Sequence, residues 1–203
     1  MTSDVVSGEG PRLRADARRN RERILRTAMR LFSAQGIDTS LDEIAREAEV
    51  GAGTLYRHFP SREALLAAAL HEQQEELQEC ARRAREIADS GVALRAWLSA
   101  LQDYLRTFDG LPSPVLAAVK ELESPLCLSC TSLVTLTGEF LARAQRDGHA
   151  RTSVTADELF LSALGIAWVL NRASACGMTR EGLEKVLAHG YLTDPPEDVQ
   201  APR

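Results

Sequence analysis

Apolar residues recur at helical spacing along most of this chain. Ile24, Leu25, Ala28, Leu31 and Phe32 stand at i, i+1, i+4, i+7 and i+8, one stripe of an amphipathic helix that opens near Asp16. Gly36, just past the last periodic residue, is a natural left-handed C-cap. Ser40-Leu41-Asp42-Glu43 reads as a capping box, and Leu41, Ile44, Ala45 and Ala48 form a second stripe that ends near Glu49. A third short helix fits Ala52 to His58, because Gly51 permits a turn before it and Pro60 cannot continue it. Ser61 then caps a fourth helix. Two short helices joined by a tight turn and packed on a longer one make a helix-turn-helix.

The rest of the pattern is also helical. The fourth helix is expected to run unbroken from Arg62 to about Ile87, with Leu66, Leu70, Leu77, Ala84 and Ile87 inward, until Asp89-Ser90-Gly91 breaks it. A fifth carries Leu94, Trp97, Leu98, Leu101, Tyr104, Leu105 and Phe108 and ends at the loop Asp109 to Pro114. A short sixth spans Val115 to Leu122, a seventh about Leu126 to Arg146, an eighth Ala156 to Ser174 and a ninth Thr179 to His189. The eighth is apolar on most sides, so it buries more than one face. The expected fold is all-α with about nine helices, an N-terminal three-helix unit joined to a larger C-terminal bundle. The boundaries implied are a flexible basic arm over 1–15, a helix-turn-helix unit over 16–62, a ligand-binding and dimerisation unit over 63–192, and a disordered tail over 193–203.

Composition narrows the functional classes. The chain has 203 residues and a net charge of −5. It has no apolar run of membrane-spanning length and no hydrophobic signal core at its start, so a soluble, cytoplasmic protein is expected. The charge is unevenly placed: from Pro11 to Arg30 eight arginines face only Asp16 and Glu22. Such a block in an acidic protein suggests a polyanion at one end, although a solvated helix face would read the same way.

The third helix sharpens that suggestion. Leu55 and Phe59 suffice to hold it, which leaves its other positions to a partner. Gly53 keeps the surface low enough for a backbone to approach, and Thr54, Tyr56 and His58 can hydrogen-bond phosphates. Ala52 can touch a thymine methyl, and Arg57 can reach a phosphate or a guanine edge. Ser40 can cap its helix and contact a phosphate at once. Arg12, Arg14 and Arg18 supply charge from the N-terminal side.

From Ile24 to Leu70 the stretches ILRTAMRLFSAQG, TSLDEIAREAEV, GAGTLYRHF and PSREALL resemble the N-terminal domain of the TetR family of bacterial transcriptional regulators. The spacing of Gly36, Ile44, Ala45, Ala48, Gly53 to Tyr56, His58, Phe59, Glu63 and Leu65 agrees with the family pattern without insertions. Glu49 departs from it, since the family usually has Gly in the turn; a left-handed Glu there would cost about 1 kcal/mol. Arg62 stands where the family often has Lys and is carried over as a DNA contact. The resemblance implies a homodimeric repressor, formed through the last two helices and released from its operator by a small effector held in the C-terminal bundle. Two-fold symmetry then implies a palindromic operator on double-stranded DNA.

Leu159, Ala163, Ala167 and Leu170 with Leu183, Val186 and Leu187 are the expected subunit interface. Trp97, Leu101, Tyr104, Phe108, Phe140, Trp168 and Asn171 are the candidates to line an effector cavity; ordinary core packing is the competing reading for the aromatic ones. Few ionisable residues fall on the inner faces, so an uncharged or apolar effector is expected. Cys127 and Cys130 form a CxxC without a second pair; buried structural thiols are the simplest reading, and a thiol or metal sensor is the alternative. No nucleophile–base pair, phosphate loop or ligand cluster stands out, so neither an enzyme nor a bound cofactor or metal is expected. A protein-interaction module without DNA binding is a third reading, opposed by the arginine block and the intact third helix.

Overall fold

A computed structural model describes residues 9–120, 124–172 and 179–193, with side chains from residue 14 onward except at 119–120 and 127–129. Ten helices are described: α1 (Glu9–Gln35), α2 (Leu41–Glu47), α3 (Ala52–His58), α4 (Arg62–Glu72), α5 (Gln74–Glu86), α6 (Ser90–Leu105), α7 (Pro112–Lys120), α8 (Cys127–Arg146), α9 (Ala156–Arg172) and α10 (Arg180–Tyr191). The described residues contain no strand, only an isolated bridge between Ala150 and Leu192. None of their helices is long and apolar enough to cross a membrane.

The sequence stripes become the contacts. Ile24, Leu25, Ala28, Leu31 and Phe32 of α1 are buried against α2, α3 and α4. Behind them α5 packs on α6, α6 on α8 and α9, and α7 on both α8 and α9. Leu94, Trp97, Leu98, Leu101 and Leu105 put α6 at the centre of this second group.

Two elements differ from expectation. α1 reaches back to Glu9, into the segment read as a flexible arm. Its Arg- and Ala-rich sequence has high helix propensity, and Pro11 falls in the first turn, where its missing N–H costs nothing. The long fourth helix is divided at Gln73, whose N–H bonds to Leu70 O at 3.1 Å, one residue nearer than α spacing. No Pro or Gly causes this. The tightened turn lets α4 bury Leu65, Leu66, Ala69 and Leu70 while α5 buries Leu77, Ala81 and Ala84 along α6. The predicted end of the sixth helix at Leu122 and the tail from Asp194 lie outside the described residues.

A second junction joins the two groups besides α4. Phe32 of α1 meets Phe108 edge-on, with ring centroids 5.7 Å apart, and Ile37 N donates to Asp109 O at 2.9 Å. Gly110 sits at φ +84 against Ile37, where an added Cβ would come within 2.9 Å of the Ile37 side chain. The α6–α7 loop therefore bears directly on the α1–α2 loop.

Candidate nucleic-acid interface and bundle cleft

The helix-turn-helix is built from local rules. Ser40 Oγ accepts from Asp42 N at 3.2 Å to start α2, while Glu43 lies 3.9 Å from Arg46 rather than completing the capping box. The turn closes through Glu49 N to Arg46 O and Val50 N to Ala45 O, both 3.0 Å. Glu49 is left-handed at φ 52, as its place in the turn demands. From α1, Arg23 Nη2 donates to Glu49 O at 3.1 Å, and Arg30 pairs with Glu47 at 3.0 Å. The turn is thus tied to α1 on both sides.

Leu55 is fully buried, and Phe59 is covered with the Arg21 guanidinium 5.1 Å above its ring. The rest of α3 looks outward. Ala52, Gly53, Tyr56 and Arg57 are exposed, and Thr54 and His58 are partly so. The Tyr56 ring is 47% exposed, which rules out a core role for most of it. The side chains of Thr54, Tyr56, Arg57 and His58 make no hydrogen bond or ion pair within the described chain. A Cβ added at Gly53 would meet nothing within 4 Å. Gly53 is the second residue of α3, and no packing contact among the described residues requires a glycine there.

Arg14 and Arg18 project from α1, Arg18 lying 3.5 Å from Glu22; the Arg12 side chain lies outside the described residues. Arg62 is used otherwise than expected. Its Nη1 donates to the carbonyls of Ile37 and of Thr39, the latter at 2.7 Å, so it braces the α1–α2 loop against α4.

In the bundle, the aromatic residues expected to line a cavity mostly fill one another. Trp97 is fully buried, stacks on Phe140 with centroids 5.4 Å apart, and donates from Nε1 to Thr137 Oγ1 at 3.0 Å. Leu101 and Phe108 are fully buried. Tyr104 donates to Leu70 O at 3.2 Å, and burial pushes its phenol well above the usual range. Trp168 is 45% exposed on the outside of α9, beneath Arg172 at 4.9 Å. Asn171 accepts from Arg106 Nε at 3.2 Å, with its own Nδ2 buried and unpaired. Tyr104 borders a groove of about 700 Å³ between α5 and α6 that Cys80 and Arg83 also line.

The better-formed space lies elsewhere, in a cleft of about 540 Å³ between α6, α9 and α10. Leu98, Leu159, Ala163, Ile166 and Leu187 give it apolar walls, and Gln102 and Tyr191 give it buried polar ones. Burial pushes the Tyr191 phenol up to about 12, with the Arg95 charge close enough to oppose the rise. Arg95, Glu158, Glu181, Glu184 and Lys185 stand around it, so the cleft is more charged than expected. The signal that marks it in sequence is small: Gln102 interrupts the apolar stripe of α6.

Leu159, Ala163 and Ala167, expected at a subunit interface, are covered inside their own chain and have no surface left to give. Leu170, Leu183 and Leu187 are half-buried, and Val186 is 74% exposed. The apolar surface that α9 leaves open is Leu161 and Trp168, on the face opposite the one predicted. Cys130 is buried, and the Cys127 side chain lies outside the described residues. No group of three or more metal-ligating side chains occurs among the described residues.

A long helix bearing a helix-turn-helix whose second helix presents free polar groups defines a DNA-binding protein. The profile of bacterial regulatory proteins of the TetR family matches residues 24–69, and that of the C-terminal domain of SbtR-like transcriptional regulators matches residues 89–191. A TetR transcriptional regulator from Streptomyces coelicolor is 32% identical, with 85% of this chain and 98% of that one covered and a TM-score of 0.53. A TetR regulatory protein from Mycobacterium vanbaalenii is 30% identical, with 89% and 99% covered and a TM-score of 0.51. A helix-turn-helix-type transcriptional regulator of Staphylococcus aureus is 45% identical over 51 residues, which are 25% of this chain and 28% of that one. The chain belongs to the TetR family and is a DNA-binding transcriptional regulator.

Proposed function

We propose that this regulator is a homodimeric repressor that binds a palindromic operator in double-stranded DNA and leaves it when a small effector enters the bundle. The observation that carries the DNA-contacting part is the outer face of α3, where the side chains of Thr54, Tyr56, Arg57 and His58 have no partner among the described residues and no described neighbour requires Gly53 to be glycine. Ala52 shares that exposed face. Arg14 and Arg18 extend the positive surface along α1, with Arg12 at its start. Ser40 serves mainly to cap α2.

The dimer is assigned to the outward faces of α9 and α10, with Leu161, Trp168 and Val186 as anchors and Leu183 beside them. Isolated chains would otherwise leave these large apolar side chains in water. The effector is assigned to the α6–α9–α10 cleft rather than to the aromatic cluster, because the cleft has the volume of a ligand site and one buried side chain, Gln102, with an unpaired polar atom. A regulator of this kind works in the cytoplasm, beside the chromosome. Residues 16–62 form the reader and 63–192 the ligand-binding and dimerisation unit, although α4 also packs on α1.

The test is a gel-shift titration against genomic fragments over a range of salt, with sedimentation of the same sample. The expected result is a dimer whose affinity falls steeply with salt, with Arg14→Ala and Arg18→Ala together flattening the logarithmic slope by up to ~2. A monomer in sedimentation, or a slope unmoved by both changes, would reject the reading.

A further inference from the structure

The cleft between α6, α9 and α10 contains a buried polar group that the chain leaves unused. Gln102 is 3% exposed, lines the cleft, and has its Oε1 shut off from water without a hydrogen-bond partner. Leaving a buried amide unpaired costs stability, and replacing it with an apolar side chain of the same shape is neutral or favourable. Its presence at the centre of an apolar wall therefore asks for a ligand that completes it.

The charges around the cleft are unequal in their freedom. Glu158 accepts from Thr155 N and Oγ1 at 2.8 and 3.0 Å and so caps α9. Glu181 pairs with Lys185 at 3.2 Å, and Glu184 with Arg180 at 2.8 Å. Arg180 is further held by Asp103 at 2.6 Å. Arg95 makes no hydrogen bond or close ion pair among the described residues, although its charge acts on Asp89 and on the Tyr191 phenol. Arg95 and Gln102 are seven residues apart on α6, so they share a face of the helix and lie about 10 Å apart along it. Leu98 lies between them, with Leu159, Ala163 and Ile166 across the cleft.

We infer that this cleft binds an amphipathic monocarboxylic acid that carries a hydroxyl well removed from its carboxylate along an apolar chain. The carboxylate meets the Arg95 guanidinium, the hydroxyl pairs with the Gln102 side-chain amide, which turns to meet it, and the apolar body lies on the Leu98–Ile166 wall. This ligand class replaces the uncharged effector expected from the sequence. The regulatory role rests on the effector reading above; the binding site does not.

The experiment uses the full chain and titrates it calorimetrically with 10-hydroxydecanoate, decanoate and 1-decanol. 10-Hydroxydecanoate should bind about fivefold or more tightly than decanoate, the value of one net hydrogen bond. Gln102→Leu should abolish that ratio and raise the melting temperature at the same time. Arg95→Gln should weaken both acids and leave 1-decanol unchanged. A Gln102 that serves only the fold would give the opposite pattern, a lower melting temperature with the ratio retained. Equal affinities of the two acids in the parent, or no heat from either at about millimolar concentration, would overturn the proposal. Operator release is read separately by gel shift. An acid that binds through Gln102 and leaves the operator complex intact confirms the site and removes the effector role.

Discussion

On α3, Thr54, Tyr56, Arg57 and His58 stand on a helix of seven residues held by Leu55 and Phe59, and none of the four side chains bonds to another of the described residues. On α6 the polar aromatic side chains all have internal duties: Trp97 donates to Thr137 and Tyr104 to Leu70 O. Both segments carry aromatic rings and hydrogen-bonding groups in a short space, and both look functional in the sequence. The difference lies in whether the fold consumes those groups. A ring whose N–H or O–H is satisfied at full burial is structural, whereas a polar group that folding leaves idle at a cost is available to a partner.

The sharpest way to break this comparison is to delete a ring from each side. Trp97→Ala should cost about 3–5 kcal/mol of unfolding free energy, because it opens a cavity beside Phe140 and strips Thr137 of its donor. Tyr56→Ala should change stability by less than about 0.5 kcal/mol. Urea denaturation measures both. A Trp97→Ala loss below about 1 kcal/mol would mean that the aromatic cluster is loosely filled, and the cavity expected there would return.

Arg62 sits between the two kinds of residue, since it was carried over as a DNA contact and serves as a brace. Arg62→Met should cost about 2 kcal/mol, the range for charged hydrogen bonds to carbonyls left without a donor. It should also loosen the α1–α2 loop, which Asp109 O grips at Ile37 from the other side. If Arg62→Met weakened operator binding with no loss of melting temperature, Arg62 would be a phosphate contact after all.

These outcomes explain what could be read in advance. The helix-turn-helix was legible because every determinant is local: a cap at Ser40, a turn forced at Glu49 to Gly51, a stop at Pro60 and one buried residue per turn. The all-α architecture followed from periodicity in the same way. The break at Gln73 was not legible, because no helix breaker marks it and only the packing of α4 and α5 on different partners calls for it. The outward face of α9 was hard to read, because this helix is apolar on most sides and its period does not say which leucines face inward. The cleft was missed for a related reason. It arises from how α6, α9 and α10 diverge, and a single Gln in an apolar stripe is a weak sign of that.

On the reader itself the effects should be smaller and should separate affinity from stability. Tyr56→Phe should weaken operator binding about fivefold, the worth of one neutral hydrogen bond to a phosphate, and leave melting unchanged. A fluorescence-anisotropy titration at fixed salt measures the first and calorimetric melting the second. A drop in both would place the Tyr56 hydroxyl in a structural role that its exposure does not suggest.

The smallest expected effect concerns the one left-handed residue of the turn. Glu49 at φ 52 is a conformation that glycine adopts freely and a Cβ-bearing side chain does not, at a cost of about 1 kcal/mol. The glutamate carboxylate has no partner among the described residues, while its carbonyl is held by Arg23 Nη2 at 3.1 Å from α1. The backbone bond survives any change of side chain, so Glu49→Gly keeps the brace and relieves the strain. It should therefore raise unfolding free energy by up to ~1 kcal/mol, reduced by the greater chain entropy of glycine in the unfolded state. It also removes a negative charge near the reader, so operator affinity should rise slightly and more so at low salt. Arg23→Ala in the same background separates the two contributions. If the turn is held by its own geometry, the gain from glycine persists without Arg23. If the Arg23 bond is what forces the left-handed turn, the gain disappears and Glu49 becomes as good as glycine. Melting curves of the four variants in this cycle decide between these two accounts.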